Sequence, residues 1–107
     1  MPLSVRTSAP IFAALGDETR LAVVQRLCDL GPSSLAGLSE GANVSRQAVT
    51  KHLRVLADAG LVRRRRRGRA TLWEFRARGL DDARRALDAI SREWDAALLR
   101  LQDLVER

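Results

Sequence analysis

The sequence predicts a mainly α-helical fold with one small β-hairpin, about five helices and a two-stranded wing. Three observations predict it. Apolar residues recur at helical spacing in segments separated by Gly, Pro and capping residues. That period breaks between Leu61 and Phe75, where two short extended runs flank Gly68. A helical repeat then resumes and holds from Leu80 to Glu106. A chain of 107 residues makes one domain. Residues 10–107 are expected to form it, with residues 1–9 as a loose arm.

The arm, Met1 to Ala9, is polar, small and Pro-flanked. Ile11, Phe12 and Leu15 form a short helical stripe closed by Gly16. Asp17 suits the N-cap of a second helix, and Glu18 adds charge that favours its positive end. Leu21, Val24, Leu27 and Cys28 recur along that helix, and Gly31-Pro32 stops it. Cys28 reads there as an inert core thiol. Ser33 or Ser34 caps a third, short helix carrying Leu35 and Leu38. Gly41 to Val44 reads as a tight turn, and Ser45 caps a fourth helix that runs to about Asp58 and closes at Gly60. Leu61 to Arg67 and Ala70 to Phe75 pair as the hairpin. Trp73 and Phe75 share one strand face and are expected on the core.

In the last helix, Leu80, Leu87, Trp94 and Leu101 are spaced by sevens, as are Ala83, Ile90, Ala97 and Leu104. Such a seam is that of a helix with a partner. At ~1.5 Å per residue the helix is about 40 Å long, more than one small domain covers, so a second subunit is expected to cover the rest; the alternative is a helix folded against its own domain's core.

Charge is segregated along the chain. Arg46, Lys51, Arg54, Arg63 to Arg67, Arg69, Arg76 and Arg78 all lie between Val44 and Arg78, opposed there only by Asp58 and Glu74. A cationic face on an otherwise slightly acidic body is the footprint of a polyanion, most often nucleic acid. The four aromatic residues, two Trp and two Phe, are too few for the stacking platforms of single-strand binders, which favours a duplex. No apolar run reaches the ~20 residues of a membrane helix. The N-terminus lacks a secretory pattern, and Cys28 has no cysteine to pair with. A cytoplasmic protein is expected.

Two helices joined by a tight turn and followed by a basic hairpin make a winged helix-turn-helix. On the fourth helix, Val49, Leu53 and Leu56 share the face to be buried, while Gln47, Lys51 and Arg54 lie nearly opposite, flanked by Arg46 and Thr50. Gln suits adenine, Arg guanine, and a Thr methyl the thymine methyl, so Arg46, Gln47, Thr50 and Lys51 are the candidate base readers. Lys51 and Arg54 can equally hold phosphates. Ser45 can act as a plain cap, or can cap while neighbouring amides bind a phosphate. In the wing, Arg63, Arg64, Arg65, Arg66, Arg67 and Arg69 can enter a minor groove or act by long-range attraction. His52 borders the buried face and reads as a satisfied, partly covered side chain.

Phe12-Ala13-Ala14-Leu15-Gly16-Asp17-Glu18-Thr19-Arg20-Leu21 resembles the N-terminal signature of the ArsR-type bacterial transcriptional repressors. Val44-Ser45-Arg46-Gln47-Ala48-Val49-Thr50-Lys51-His52-Leu53-Arg54-Val55-Leu56 resembles that family's recognition helix, and Ala59-Gly60-Leu61-Val62 with the Arg-rich hairpin its wing. The resemblance implies a homodimer joined through the first and last helices. Ile11, Phe12, Leu80, Leu87, Ile90, Trp94, Leu98, Leu101 and Leu104 are the expected interface. It also implies a pseudo-palindromic operator in double-stranded DNA, released on a signal. The metal-sensing members' ligands are missing: the helix before the turn has no Cys, and the last helix has no His. No metal, cofactor or catalytic residue is therefore expected, and no nucleophile–base pair or phosphate loop argues for an enzyme. Two other readings stay open, a nucleoid-type protein that binds duplex without sequence choice, and a metal- or redox-sensing repressor with an unrecognised site.

Overall fold

The computed structural model describes residues 3–40 and 42–106. In order it contains α1 (Leu3–Leu15), α2 (Glu18–Leu30), α3 (Leu35–Ser39), α4 (Arg46–Asp58), β1 (Val62–Arg67), β2 (Ala70–Phe75), a 3-10 turn (Ala77–Leu80) and α5 (Asp81–Glu106). Five helices and a two-stranded antiparallel hairpin is the predicted architecture.

The caps explain the helix boundaries. The Arg20 N–H donates to Asp17 Oδ1 at 3.0 Å, the Gly37 N–H to Ser34 Oγ at 3.0 Å and the Ala48 N–H to Ser45 Oγ at 3.1 Å. Each satisfies one of the orphan donors of a first helical turn. Ser34 is therefore the cap of α3. Ser33 instead pairs with Trp73, exchanging backbone hydrogen bonds of 2.9 and 2.8 Å and adding an isolated bridge to the edge of β2.

The core is built where α2, α3, α4 and the start of β1 meet. Leu27, Leu38, Val49, Leu53, Leu56, Leu61 and Val62 are sealed from solvent, with Trp73, Phe75 and Leu80 packed partly covered against them. The hairpin turns through Gly68 and Arg69, and Arg67 pairs with Ala70. Gly68 has φ 61° and Arg69 a negative φ, the sign pattern of a type II′ turn.

Three expectations are corrected. The stretch read as a loose arm is helical from Leu3, and Met1 and Pro2 lie outside the described residues. Tertiary packing overrides the local cue of Pro10, because Ser8, Ile11 and Ala14 are buried along one side of α1, the helix that lies on α5. Cys28 is exposed, as is Leu21. The buried residues of α2 are Val23 and Leu27, with Val24 packed against the core, so the expected stripe holds at Val24 and Leu27 and fails at Leu21 and Cys28. Leu80 belongs to the 3-10 turn, and the last helix starts at Asp81. Gly41, part of the expected tight turn, lies outside the described residues.

The 26 residues of α5 project well past the body, and the molecule measures 68 × 27 × 20 Å. Ala83 and Ala86 are buried, while Leu87, Ile90, Trp94, Leu98, Leu101 and Leu104 are exposed.

Candidate nucleic-acid interface

The site is assembled from α4 and the hairpin. Val49, Leu53 and Leu56 anchor α4 inward, each at 0% exposure, and this fixes which side chains face out. The side chains of Arg46, Gln47, Lys51 and Arg54 are exposed and make no hydrogen bond or ion pair to any described residue. Their donors are free for an external acceptor. Thr50 is half-covered, and its Oγ1 donates to the Arg46 carbonyl at 2.9 Å. Its hydroxyl is thus engaged within the helix, which leaves the methyl as its outward chemistry. Ser45 is engaged as the cap described above.

The six wing arginines do not form one uniform patch. Alternation along β1 puts Arg63, Arg65 and Arg67 on one face and Arg64 and Arg66 on the other. Glu74 lies on the first face, opposite Arg63, and pairs with both Arg63 Nε and Arg65 Nη1, the latter at 3.4 Å. The hydrogen bond from Arg63, joined by Arg65, holds the Glu74 carboxyl below its ordinary value. Arg64 takes a different position. Its guanidinium carbon lies 5.9 Å from the Trp73 ring centre, within cation–π range. Arg64 and Trp73 line a cleft of about 340 Å³ shared with Thr50, Arg54 and Ala57 of α4. The Arg64–Arg66 face therefore continues the outward face of α4, and Arg63 and Arg65 are turned away and partly neutralised. Arg66, Arg67 and the turn residue Arg69 are exposed.

The pairing with Glu74 and the Arg64–Trp73 stack went unread in the sequence. Counting back from a two-residue turn at Gly68-Arg69 reaches both, because it sets Arg63 opposite Glu74 and Arg64 opposite Trp73.

His52 is half-covered, with Nδ1 3.3 Å from Arg20 Nη1. Ile11, expected at an interface, is 5% exposed inside the protomer's own core, and Leu80 packs partly covered against that core. Phe12 and the other expected interface residues, Leu87, Ile90, Trp94, Leu98, Leu101 and Leu104, remain open. Among the described residues no three His, Cys, Asp or Glu side chains gather in a metal-binding group, and no helix is long and apolar enough to cross a membrane.

Comparison with known proteins places this geometry among regulators. A helix-turn-helix domain model matches residues 15–65. The chain is 39% identical over 95 residues to the HTH-type transcriptional regulator Rv2034 of Mycobacterium tuberculosis, covering 89% of this chain and 85% of that one. Among solved structures it is similar to an ArsR-like transcriptional regulator from Rhodococcus sp. RHA1, with TM-score 0.81 and 34% identity over 94% of this chain and 93% of the other. It also shares the fold of Mb0332 from Mycobacterium bovis, described as a homodimeric winged helix-turn-helix DNA-binding domain, with TM-score 0.64 and 22% identity over 83% and 81% of the two chains.

Proposed function

The chain belongs to the ArsR family of DNA-binding transcriptional regulators, and from that premise we propose that it is a homodimeric repressor of a pseudo-palindromic operator. The observation that carries this reading is the outward face of α4. Four exposed side chains able to donate to bases or phosphates, Arg46, Gln47, Lys51 and Arg54, stand on one rigid helix beside a cationic strand. Arg46 and Gln47 near the helix N-terminus read base edges, the Thr50 methyl meets a thymine methyl, and Lys51 and Arg54 grip phosphates or bases beside them. The amides at the Ser45 cap meet a phosphate. In the wing, Arg64 and Arg66 follow the α4 face onto the backbone, and Arg67 and Arg69 at the tip reach toward the minor groove.

Two copies are needed because one α4 reads only a half-site. The uncovered seam of α5 supplies the joint, with Phe12 of α1 beside it. A dimer places the two α4 helices about 34 Å apart, one turn of DNA. Covering that span excludes other proteins from it, which is how repression follows from binding. The reading assigns no catalytic step, no metal and no cofactor to the chain, and places it in the cytoplasm with the DNA.

Selection of bound sequences from a random duplex pool tests the reading. The expected result is an inverted repeat with half-sites about 10 base pairs apart, bound with an affinity that falls steeply with salt. Equal retention of all sequences would instead make the protein a non-specific duplex binder.

A further inference from the structure

Arg26 on α2 is a cation without a carboxylate. None of its nitrogens lies within 4.0 Å of an acid among the described residues, and its Nη2 donates only to the Gly37 carbonyl of α3, at 3.1 Å. Its Nε is buried and has no acceptor among the described residues. A buried donor left unmade is costly, and native proteins leave few of them. Arg26 also lines a cleft of about 380 Å³ between α2, α3 and the segment leading into α4. That volume is within the range of small-molecule sites. Ala22, Ala42 and Val44 supply its accessible apolar wall over the buried Val23 and Leu38, and Glu18, the one acid at the cleft, sits on the exposed first turn of α2.

We propose that this cleft is an effector site for a small carboxylate with a short apolar tail, recognised by Arg26. The inference rests on the repressor reading for its consequence, though not for the binding itself. A carboxylate is the partner whose two oxygens match the Nε and Nη2 edge of a guanidinium. The tail enters the apolar wall. To present its Nε and Nη2 edge to the ligand, the guanidinium turns its buried Nε into the cleft and gives up the Gly37 carbonyl. That hydrogen bond ties α3 to α2, and α3 leads directly into α4. Its loss frees the helix-turn-helix pair to shift against the rest of the protomer, which lowers the affinity of a dimer whose two α4 helices must keep a fixed span.

The experiment is a titration of the full-length protein, followed by ¹⁵N resonances of the Gly37 amide and the arginine Nε groups. Probes are acetate, butyrate, benzoate, butylammonium and inorganic phosphate. Saturable shifts are expected with butyrate and benzoate, with butyrate binding about tenfold tighter than acetate for its two added methylenes. Butylammonium and phosphate are expected to leave both signals in place. Arg26→Gln should abolish the response, and Ala22→Leu, which fills the cleft from an exposed helical position, should block it with Arg26 intact. In parallel, saturating butyrate should weaken operator binding at least tenfold by fluorescence anisotropy. Absence of saturation in the wild type, a response equal for phosphate, or persistence in either variant overturns the site. Saturation with unchanged operator affinity overturns the effector role. Failure of the untreated protein to prefer any operator overturns the repressor reading alone and leaves the titration interpretable.

Discussion

Nη1 of Arg20 stands 3.3 Å from Nδ1 of His52, and through this contact three helices meet. The same guanidinium donates from Nε to the Ala14 carbonyl at the end of α1, while the Arg20 backbone N–H is held by Asp17 at the cap of α2. An arginine has donors only, so wherever this contact is a hydrogen bond the guanidinium is its donor and His52 Nδ1 its acceptor. The last turn of α1 is thereby bolted to the middle of α4. Arg20→Ala should lower unfolding free energy by about 1–3 kcal/mol, the cost of orphaned carbonyls and a lost charged donor. Arg20→Lys should recover little, because one ammonium cannot serve acceptors spread around a planar fork. In urea melts, His52→Ala should cost clearly less in the Arg20→Ala background than alone. Strict additivity would show the contact to be idle.

Gly79 lies where a side chain cannot. A Cβ there would sit 2.2 Å from the Gly60 carbonyl oxygen and 3.3 Å from the Leu61 Cα, both backbone atoms that cannot rotate away. This is the joint between the end of α4 and the start of α5, sealed further by the Arg76 N–H donating to the Leu61 carbonyl at 2.8 Å. Gly79→Ala is expected to destabilise the fold by several kcal/mol, on the scale of strained or overpacked core sites. Gly37→Ala, whose Cβ meets only the Ser34 hydroxyl at 3.3 Å, should cost much less. Thermal melts of the two variants side by side check the contrast.

The legible parts of this fold are those written in short-range chemistry. Asp17, Ser45 and Gly68 each occupy the cap or turn that their residue type suits, and the inner face of α4 was readable because Val49, Leu53 and Leu56 are its only strongly apolar stripe apart from Val55. The start of α1 was hidden, since Pro10 is a local signal against helix and the burial of Ser8 that outweighs it depends on a neighbour distant in sequence, α5. The inner face of α2 was hidden for another reason. Leu21, Val23, Val24, Leu27, Cys28 and Leu30 spread around the helix, so several stripes fit the period and only the packing picks one. At the candidate interface, spacing sorted the outward residues of α4 well. It did not separate the wing arginines, because a run of identical residues has no period of its own and only the register counted back from Gly68-Arg69 tells which of them meet Glu74.

Glu74 makes wing stability depend on pH. Its carboxyl is held below the ordinary 4.5, so the unfolded chain takes up a proton more readily than the folded one. The stabilisation is fully present above about pH 4.5 and is lost as pH falls through the depressed folded value. Wild type should therefore melt higher than Glu74→Gln at pH 7, and the gap should close on acidification below 4.5. A gap that stays constant from pH 7 to pH 3 would rule out the ion pairs as its source.

The two faces of β1 give the wing variants different signatures. Arg66→Gln removes an exposed charge from the strand face that continues α4, and should lower the log–log salt slope of operator binding by about 0.9 while leaving base preference intact. Arg65→Gln removes a charge already shared with Glu74, so its effect should be smaller. Gln47→Ala should act oppositely to both, costing about 1–3 kcal/mol of discrimination at one base pair with little change in slope. Anisotropy titrations over a range of salt, on operator and scrambled duplex, separate the three. Identical behaviour would remove the distinction between reading and gripping.

The uncovered seam of α5 sets a requirement on solution state. Trp94 is 66% exposed and Leu104 68%, and with Leu87, Ile90, Leu98 and Leu101 they make one continuous apolar stripe. Patches of that kind mark association sites, and large aromatics at their centre carry most of the binding energy. Trp94→Asp forces a charge into the closed seam and should raise the dimer dissociation constant by at least about 100-fold. Leu99 provides the matched control. It is equally exposed at 66%, but it lies about 140° around the helix from Trp94, off the stripe. Leu99→Asp should leave association unchanged. The melting temperature of the wild type should rise with protein concentration, as it does when assembly stabilises the fold, and that of Trp94→Asp should not. Because each protomer offers only one α4, the same substitution should reduce operator binding to the weaker affinity of a half-site. Sedimentation of wild type as a monomer at micromolar concentration would refute the shared seam, and with it the spacing argument for a two-fold operator.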